Sequence, residues 1–215
     1  MTPLQIIFIV YSSFALILIS YLFFYATFKK WRRKKKYKNI YAKKLYSLSL
    51  VKDYLLVNQF RCKESGYDEV LCDHILFGDK YIYLIYDYYF NGAISGECQD
   101  KKLLYYEYKK QVKEIVNPYA ECTNKIRIIQ NVLYNENPEI FRGIIIINKE
   151  CNVNINGKFN KIVITNEKNL KKLINKFETE NVKNLVKEDV DLIAQKMYNA
   201  RENVNKNGRT VKKDN

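Results

Sequence analysis

The segment from Leu4 to Phe28 contains no charged residue, and the basic sequence KKWRRKKKYK follows it directly. About 20 apolar residues suffice to cross the ~30 Å hydrocarbon core of a bilayer. A helix satisfies its own backbone hydrogen bonds, so the few Ser and Tyr hydroxyls in this segment are tolerable in lipid. Tyr25, Trp31 and Tyr37 lie where amphipathic aromatic side chains anchor at the interface. The sequence therefore predicts a transmembrane helix over residues 4–28.

The position of the positive charges argues against two alternatives and orients the helix. A signal peptide carries its positive charge before the apolar run, whereas residues 1–5 contain no Lys or Arg. A buried core helix would show a polar stripe, and this segment shows none. By the positive-inside rule, the N-terminus lies outside and the rest in the cytoplasm, which makes the chain a single-pass protein of the cell membrane. The cations expected at the membrane surface are Lys29, Lys30, Arg32, Arg33, Lys34, Lys35, Lys36 and Lys38.

The cysteine pattern agrees with a cytoplasmic domain. The five cysteines are an odd number and include no CxxC spacing, so they predict neither a disulfide framework nor a zinc site. Reduced, buried thiols are expected at Cys62, Cys72, Cys98, Cys122 and Cys151.

The formal net charge of +14 points to anionic partners only in part. Lys, Asn, Ile and Tyr dominate throughout, which is what an AT-rich coding sequence produces whatever the function. The basic segment can attract anionic headgroups at about 1 kcal/mol per residue, and it could equally hold nucleic acid near the membrane. The expected partners are therefore the lipid bilayer, with nucleic acid or another membrane protein as further candidates. The oligomeric state is left open.

The cytoplasmic sequence alternates between helical and strand patterns. A basic juxtamembrane linker is expected over 29–43, and a polar, disordered tail over 203–215. Between them the periodicities predict helices over 44–58, 111–116, 119–134, 168–177 and within 183–202, and strands over 70–77, 81–90, 93–98, 142–148, 153–155 and 161–165. This order predicts an α/β fold in which helices flank a mixed β-sheet. The sequence contains no Gly-rich phosphate loop, HExxH or GxSxG motif.

Three sequence segments together carry a family resemblance. Asp73-His74 lies in a predicted strand, FGDKYIYLIYDYYFNGAISG follows it, and NPYAE opens a predicted helix. Their order resembles the NERD domain, the nuclease-related domain, which is similar in fold to the PD-(D/E)xK nucleases. The resemblance covers roughly Tyr46 to Glu178, so a NERD-like domain of restriction-endonuclease-like fold is expected over 44–178.

The resemblance implies candidate site residues and also exposes departures from the family pattern. In the related nucleases, two carboxylates hold a divalent metal that activates water, and Asp73 matches the first of them. The Glu-x-Lys of the family falls on Tyr86-Asp87-Tyr88. Strand alternation points Asp87 to the opposite face, although a bulge could rotate it inward. The candidate catalytic residues are Asp73, Asp87 and Glu121, with Asp73 as the candidate metal ligand, and Lys101 or Lys102 as stand-ins for the missing lysine.

Neighbouring residues have more ordinary interpretations. His74, the only histidine, is expected to be structural, because strand alternation separates it from Asp73. The tyrosines of the 81–89 segment could stack on single-stranded bases, although aromatic residues in sheets more often pack in a core. Cys72 has no basic neighbour in sequence that would lower its pKa, and is expected to be inert.

Three hypotheses follow from the sequence. The first is a membrane-anchored, catalytically degraded NERD-like protein that acts by binding and needs no cofactor. The second is an active, membrane-tethered nuclease that uses Mg²⁺ or Mn²⁺, with catalytic residues relocated around Asp73. The third is a structural tether whose basic segment contacts anionic lipid. Whether the protein is an enzyme is left open, because Tyr86 and Tyr88 replace the Glu-x-Lys residues.

Overall fold

The computed structural model describes residues 3–64, 67–107, 111–133, 137–157 and 161–210, apart from the side chains of Leu4, Phe23, Ala26, Lys30 and residues 201–210. The chain divides into two units, residues 1–39 and residues 40–215. Its elements, in chain order, are α1 (Pro3–Lys52), β1 (Leu55–Cys62), β2 (Val70–Phe77), β3 (Ile82–Tyr88), β4 (Gly92–Glu97), β5 (Lys102–Glu107), β6 (Lys113–Val116), α2 (Pro118–Leu133), a 3-10 turn (Pro138–Ile140), β7 (Phe141–Ile147), β8 (Asn152–Asn156), β9 (Ile162–Thr165), α3 (Leu170–Glu178) and α4 (Lys187–Thr210).

Helix α1 is continuous through the predicted apolar segment and beyond it. It is long and apolar enough to cross a membrane, and none of its apolar window is buried. At 1.5 Å per residue, residues 4–28 extend about 37 Å, which exceeds the ~30 Å of a hydrocarbon core. The segment predicted as a basic linker, 29–43, is also helical. Helix α4 likewise runs to Thr210, into the segment predicted as a disordered tail, whose last residues, 211–215, lie outside the described part.

The helix predicted over 44–58 ends earlier than expected. Asp53 adopts a left-handed conformation with φ of 56°, and Tyr54 N donates to Ser49 O over 2.9 Å. A left-handed residue, followed by a residue whose N–H bonds to the carbonyl five positions earlier, is the Schellman motif that commonly ends helices. Leu55 and Leu56 therefore belong to strand β1, and the helical prediction for 53–58 was wrong.

The α/β prediction is confirmed, with two mixed sheets in place of one. The larger sheet has the order β1-β2-β3-β7-β9, and the smaller has the order β6-β5-β4-β8. The helical prediction for 111–116 was wrong, because those residues contribute β6 to the smaller sheet. Its neighbour β5 alternates buried and exposed residues with period two, as a half-buried strand should.

One asparagine joins the two sheets. Strands β3 and β7 pair in parallel in the larger sheet. The next strands along the chain, β4 after β3 and β8 after β7, pair in parallel in the smaller sheet. At this junction the buried Asn148 accepts a hydrogen bond from Phe90 N over 2.8 Å and donates one to Phe90 O over 3.0 Å. The amide thus replaces backbone partners at the point where both strands change sheets.

A carboxylate from α3 closes the turn between β2 and β3. Glu178 accepts hydrogen bonds from the Tyr83 hydroxyl over 2.5 Å and from Lys80 N over 3.0 Å. A Cβ atom at Gly78 would lie 2.3 Å from Glu178 Oε1. The Glu178 carboxylate thus packs directly against Gly78, and a side chain at this position would require the carboxylate to move.

Candidate functional site

Asp73 lies where three strands of the larger sheet lose their regular pairing. The β2–β3 ladder runs from Phe77↔Ile82 to His74↔Ile85 and stops before Asp73. In its place, Asp87 N donates to Asp73 Oδ2 over 3.0 Å. On the other side, Gln59 is absent from the β1–β2 register and has φ of 56°, a conformation that is uncommon for a residue other than glycine. The half-buried Asp73 carboxylate thus occupies an irregular point in the sheet.

The carboxylate of Asp87 is engaged with His74. Asp87 Oδ2 lies 3.0 Å from His74 Nε2, and Asn58 Oδ1 lies 2.6 Å from His74 Nδ1. The His74 and Asp87 side chains are only 6% and 4% exposed. This places His74 in the buried, structural environment expected from the sequence, and it ties Asp87 to the histidine.

Two residues of α2 contact Tyr86 and Tyr88, the β3 residues onto which the Glu-x-Lys of the family pattern falls. The Tyr88 hydroxyl donates to Glu121 Oε2 over 2.7 Å, and Lys125 Nζ donates to Glu121 Oε1 over 2.5 Å. Lys125 Nζ also lies 5.5 Å from the centroid of the Tyr86 ring, within reach of a cation–π interaction. We call Tyr86, Tyr88, Glu121 and Lys125 the tyrosine network.

Burial sets the protonation of this network. Desolvation raises the pKa of Tyr86 and of Tyr88, so both hydroxyls stay protonated and Tyr88 acts as a donor. Burial, with a smaller contribution from the charge of Glu121, also raises the pKa of the Cys122 thiol to about 12. Burial raises the pKa of Cys72 as well, which agrees with the inert role predicted for it.

Asn117 fixes the start of the helix that carries Glu121 and Lys125. Its side chain is fully buried, and its Oδ1 accepts from Tyr119 N over 2.9 Å, which caps α2. Its Nδ2 donates to three carbonyl oxygens at the end of β4 and in the loop after it, at 3.2, 3.1 and 2.7 Å: those of Glu97, Cys98 and Asp100. The Asn-Pro of the family pattern is thus a structural joint between the smaller sheet and α2.

The side chains around Asp73 do not fit the divalent metal of the related nucleases. Both oxygens of Glu121 are engaged with Tyr88 and Lys125, and the Asp87 carboxylate is engaged with His74. Within the described part of the chain, no group of three His, Cys, Asp or Glu side chains could hold a metal ion. Mg²⁺ is usually bound by one or two carboxylates with further ordered partners, and Asp73 alone does not supply that set.

The lysines predicted as stand-ins lie elsewhere. Lys102 is on the smaller sheet and forms an exposed ion pair with Glu114 over 2.6 Å. The sequence analysis missed Lys125, although the Glu121–Lys125 spacing of four residues in a predicted helix is a known pairing signal. Three of the tyrosines considered for base stacking, Tyr81, Tyr83 and Tyr86, are buried, as packing residues would be.

The predicted membrane-surface cations all lie on α1, in the first unit. The side chain of Lys30 is outside the described residues. The other seven are exposed: Lys29, Arg32, Arg33, Lys34, Lys35, Lys36 and Lys38.

Comparison with known proteins identifies the family. Searches against curated proteins and against solved structures found no significant match. The family model of the nuclease-related domain, NERD, matches residues 33–148, which is more than half of the chain. This match includes β2, β3, the start of α2 and the tyrosine network, so it covers the segments on which the resemblance was based. The chain therefore belongs to the NERD, or nuclease-related domain, family.

Proposed function

We propose that this chain is a single-pass membrane protein whose cytoplasmic NERD domain is catalytically degraded and acts by binding. The observation that carries the proposal is the hydrogen bond from Tyr88 to Glu121, at the position where the family pattern has its lysine. A hydroxyl with a raised pKa cannot supply the positive charge of that lysine.

The charges in the network also cancel one another. Glu121 is paired with Lys125, and the ring of Tyr86, 1% exposed, fills the place of the family glutamate. A phosphodiester that approached Asp73 would meet one carboxylate and an already neutralised ion pair. Such a site lacks the fixed positive charge that stabilises a phosphoryl transition state.

The membrane part of the proposal rests on α1. Its apolar stretch, residues 4–28, is long enough to span a bilayer. The cations that follow directly, within residues 29–38, mark the side that the positive-inside rule assigns to the cytoplasm. The net charge of +14, much of it in α1, favours anionic partners, namely nucleic acid or anionic lipid. The third hypothesis, a structural tether whose basic segment contacts anionic lipid, differs from this proposal in that its NERD domain binds no ligand.

A relocated active site is the second candidate. It is favoured by one observation: Ile75, which strand alternation puts on the same face of β2 as Asp73, packs in one buried cluster with Ile126 of α2, the helix that carries Glu121 and Lys125. In that case Lys125 would replace the family lysine, and Mg²⁺ or Mn²⁺ would have to displace Tyr88 or Lys125 from Glu121.

Nuclease activity of the full-length protein in lipid nanodiscs separates these candidates. Labelled single- and double-stranded DNA and RNA are incubated with Mn²⁺ or EDTA, beside the variants Asp73→Asn and Asp68→Asn. Asp68 is exposed and five positions away, so its variant makes the same chemical change outside the site. We expect the wild-type protein to show no Mn²⁺-dependent cleavage above that of the Asp73→Asn and Asp68→Asn variants. Cleavage that needs Mn²⁺, survives in Asp68→Asn and is lost in Asp73→Asn would establish the active nuclease instead.

A separate measurement tests the anchor. We expect the protein to resist extraction of membranes at alkaline pH, and an epitope at the C-terminus to be accessible only from the cytoplasmic side. Release into the soluble fraction would overturn the membrane-anchored part of the proposal.

A further inference from the structure

A groove of about 670 Å³ runs along one face of α1, within the first unit. The N-terminal half of the groove is lined by aromatic rings spaced three or four residues apart, which places them on one side of the helix. The Tyr21 and Tyr25 ring centroids are 5.7 Å apart. All of these rings are exposed and belong to the stretch predicted to lie in the bilayer. We call this set the aromatic half: Tyr21, Phe24, Tyr25 and Phe28.

The C-terminal half of the same groove is lined by cations, which we call the cationic half: Lys29, Arg32, Arg33 and Lys36. The two halves meet through cation–π contacts. Lys29 Nζ lies 5.7 Å from the Tyr25 ring centroid, and the Arg32 guanidinium lies 5.5 Å from that of Phe28. The sequence of α1 contains no Asp or Glu, so no acidic side chain of this helix neutralises the cationic half.

We propose that this groove binds one anionic phospholipid of the cytoplasmic leaflet. The phosphate lies in the cationic half, and an acyl chain lies along the aromatic half. A ligand of the groove must be apolar on the bilayer side and anionic on the cytoplasmic side, and an anionic phospholipid has both properties in that order. The proposal rests on the membrane anchoring proposed above and adds the partner and the face of α1 that binds it.

Two other occupants fit the groove less well. Nucleic acid could pair with the cationic half, but it has no apolar part to cover rings placed within the bilayer. A second copy of α1 in the same orientation would bring two cationic halves together, and like charges repel. The groove as a whole is therefore complementary to a lipid.

Native mass spectrometry of the full-length protein in detergent tests the proposal. Phosphatidylglycerol and phosphatidylcholine with the same acyl chains are titrated separately, and the association constant of the first bound lipid is measured. The variant Arg32→Gln with Lys36→Gln removes two charges from the cationic half. The matched control, Lys34→Gln with Lys38→Gln, removes two charges from the opposite side of the helix, since successive residues are about 100° apart.

We expect phosphatidylglycerol to bind the wild-type protein more tightly than phosphatidylcholine. At roughly fivefold per basic residue, the groove variant should lower the phosphatidylglycerol association constant by about 25-fold. The control should lower it much less. Equal binding of the two lipids, or equal losses in both variants, would overturn the proposal in favour of diffuse attraction. Displacement of the lipid by an oligonucleotide would assign the cationic half to nucleic acid and would also overturn it.

This outcome can be distinguished from failure of the anchor itself. A protein that resists alkaline extraction but shows no preference for phosphatidylglycerol disproves only the lipid site. A protein that is released at alkaline pH disproves the anchoring on which the site rests.

Discussion

The variant Asn117→Asp separates the two tasks of the asparagine before α2. Aspartate caps helices about as well as asparagine, so the hydrogen bond from Tyr119 N can be kept. The change removes the Nδ2 donor, however, and turns a carboxylate oxygen toward the three carbonyls that Nδ2 now serves, at 2.7–3.2 Å. If the cap alone mattered, Asn117→Asp would be close to neutral.

The expected cost follows from the three lost bonds. A typical hydrogen bond contributes about 0.5–1.5 kcal/mol, and an unsatisfied buried acceptor costs about 1–3 kcal/mol. We expect Asn117→Asp and Asn117→Ala each to lower the free energy of unfolding by at least about 3 kcal/mol: aspartate keeps the cap but turns a repelling carboxylate oxygen toward the carbonyls, and alanine loses the cap as well. For a domain of this size, 3 kcal/mol corresponds to a fall in Tm of about 6–12 °C.

The buried cysteines provide the assay. All five thiols are free and buried, so a thiol-reactive fluorogenic dye reports unfolding of the detergent-solubilised protein as the temperature rises. Asn124→Asp makes the same chemical change at an exposed position of α2 and should alter stability by less than about 0.5 kcal/mol. A Tm for Asn117→Asp within 2 °C of wild type, with a clear fall for Asn117→Ala, would refute the role of the three carbonyl contacts.

Three further predictions concern packing, the tyrosine network and pH. A Cβ at Gly143 would lie 2.5 Å from Cδ1 of Ile126, so Gly143→Ala should cost about 1–3 kcal/mol. Adding Ile126→Val, which removes Cδ1, should recover part of that cost. If the losses of stability of the two single variants simply add in the double variant, as measured by thermal unfolding, the clash is contradicted. Tyr88→Phe removes the hydrogen bond to Glu121 and should lower the free energy of unfolding, measured in denaturant, by about 1.5–3 kcal/mol. An unchanged denaturation midpoint would show that this hydrogen bond does not stabilise the fold. Burial raises the pKa of Glu178 above its ordinary value of 4.5, so the stability from this carboxyl is fully present below about pH 4.5 and is lost as the pH rises through the raised pKa. Glu178→Gln should therefore reduce the loss of Tm between pH 4.5 and 7, and an identical pH profile would count against the buried carboxyl.

The elements that the sequence predicted well are those with a single strong local signal. Strand β2 has the predicted bounds of 70–77, because the FGDK turn that follows marks its end, and β7 lies within one residue of its prediction, because it is an apolar run bounded by polar residues. Helix α2 begins at Pro118, as Asn-Pro and a helical stripe of isoleucines indicate. Strands β1, β5 and β6 were missed because their patterns were read as helical, and only pairing with a neighbouring strand resolves that ambiguity.

The site shows the same division. The sequence alone identified Asp73 and showed that tyrosines stand where the family has its glutamate and lysine. It could not show that the Asp87 carboxylate pairs with His74, because that contact depends on how far β2 and β3 separate beyond Ile85. Nor could it place Lys125 over Tyr86, since the docking of α2 on the larger sheet sets that distance.

By itself, then, the sequence determined the apolar helix with its basic end, the family, and the replacement of the Glu-x-Lys residues. These are properties of composition and of residue order, and a chain carries them before it folds. The tertiary structure alone decided the pairing of Tyr88 with Glu121, which lies 33 residues further along the chain. Contacts of this kind depend on packing geometry between distant segments, because a shift of one residue in register would turn each side chain to the other face of the sheet.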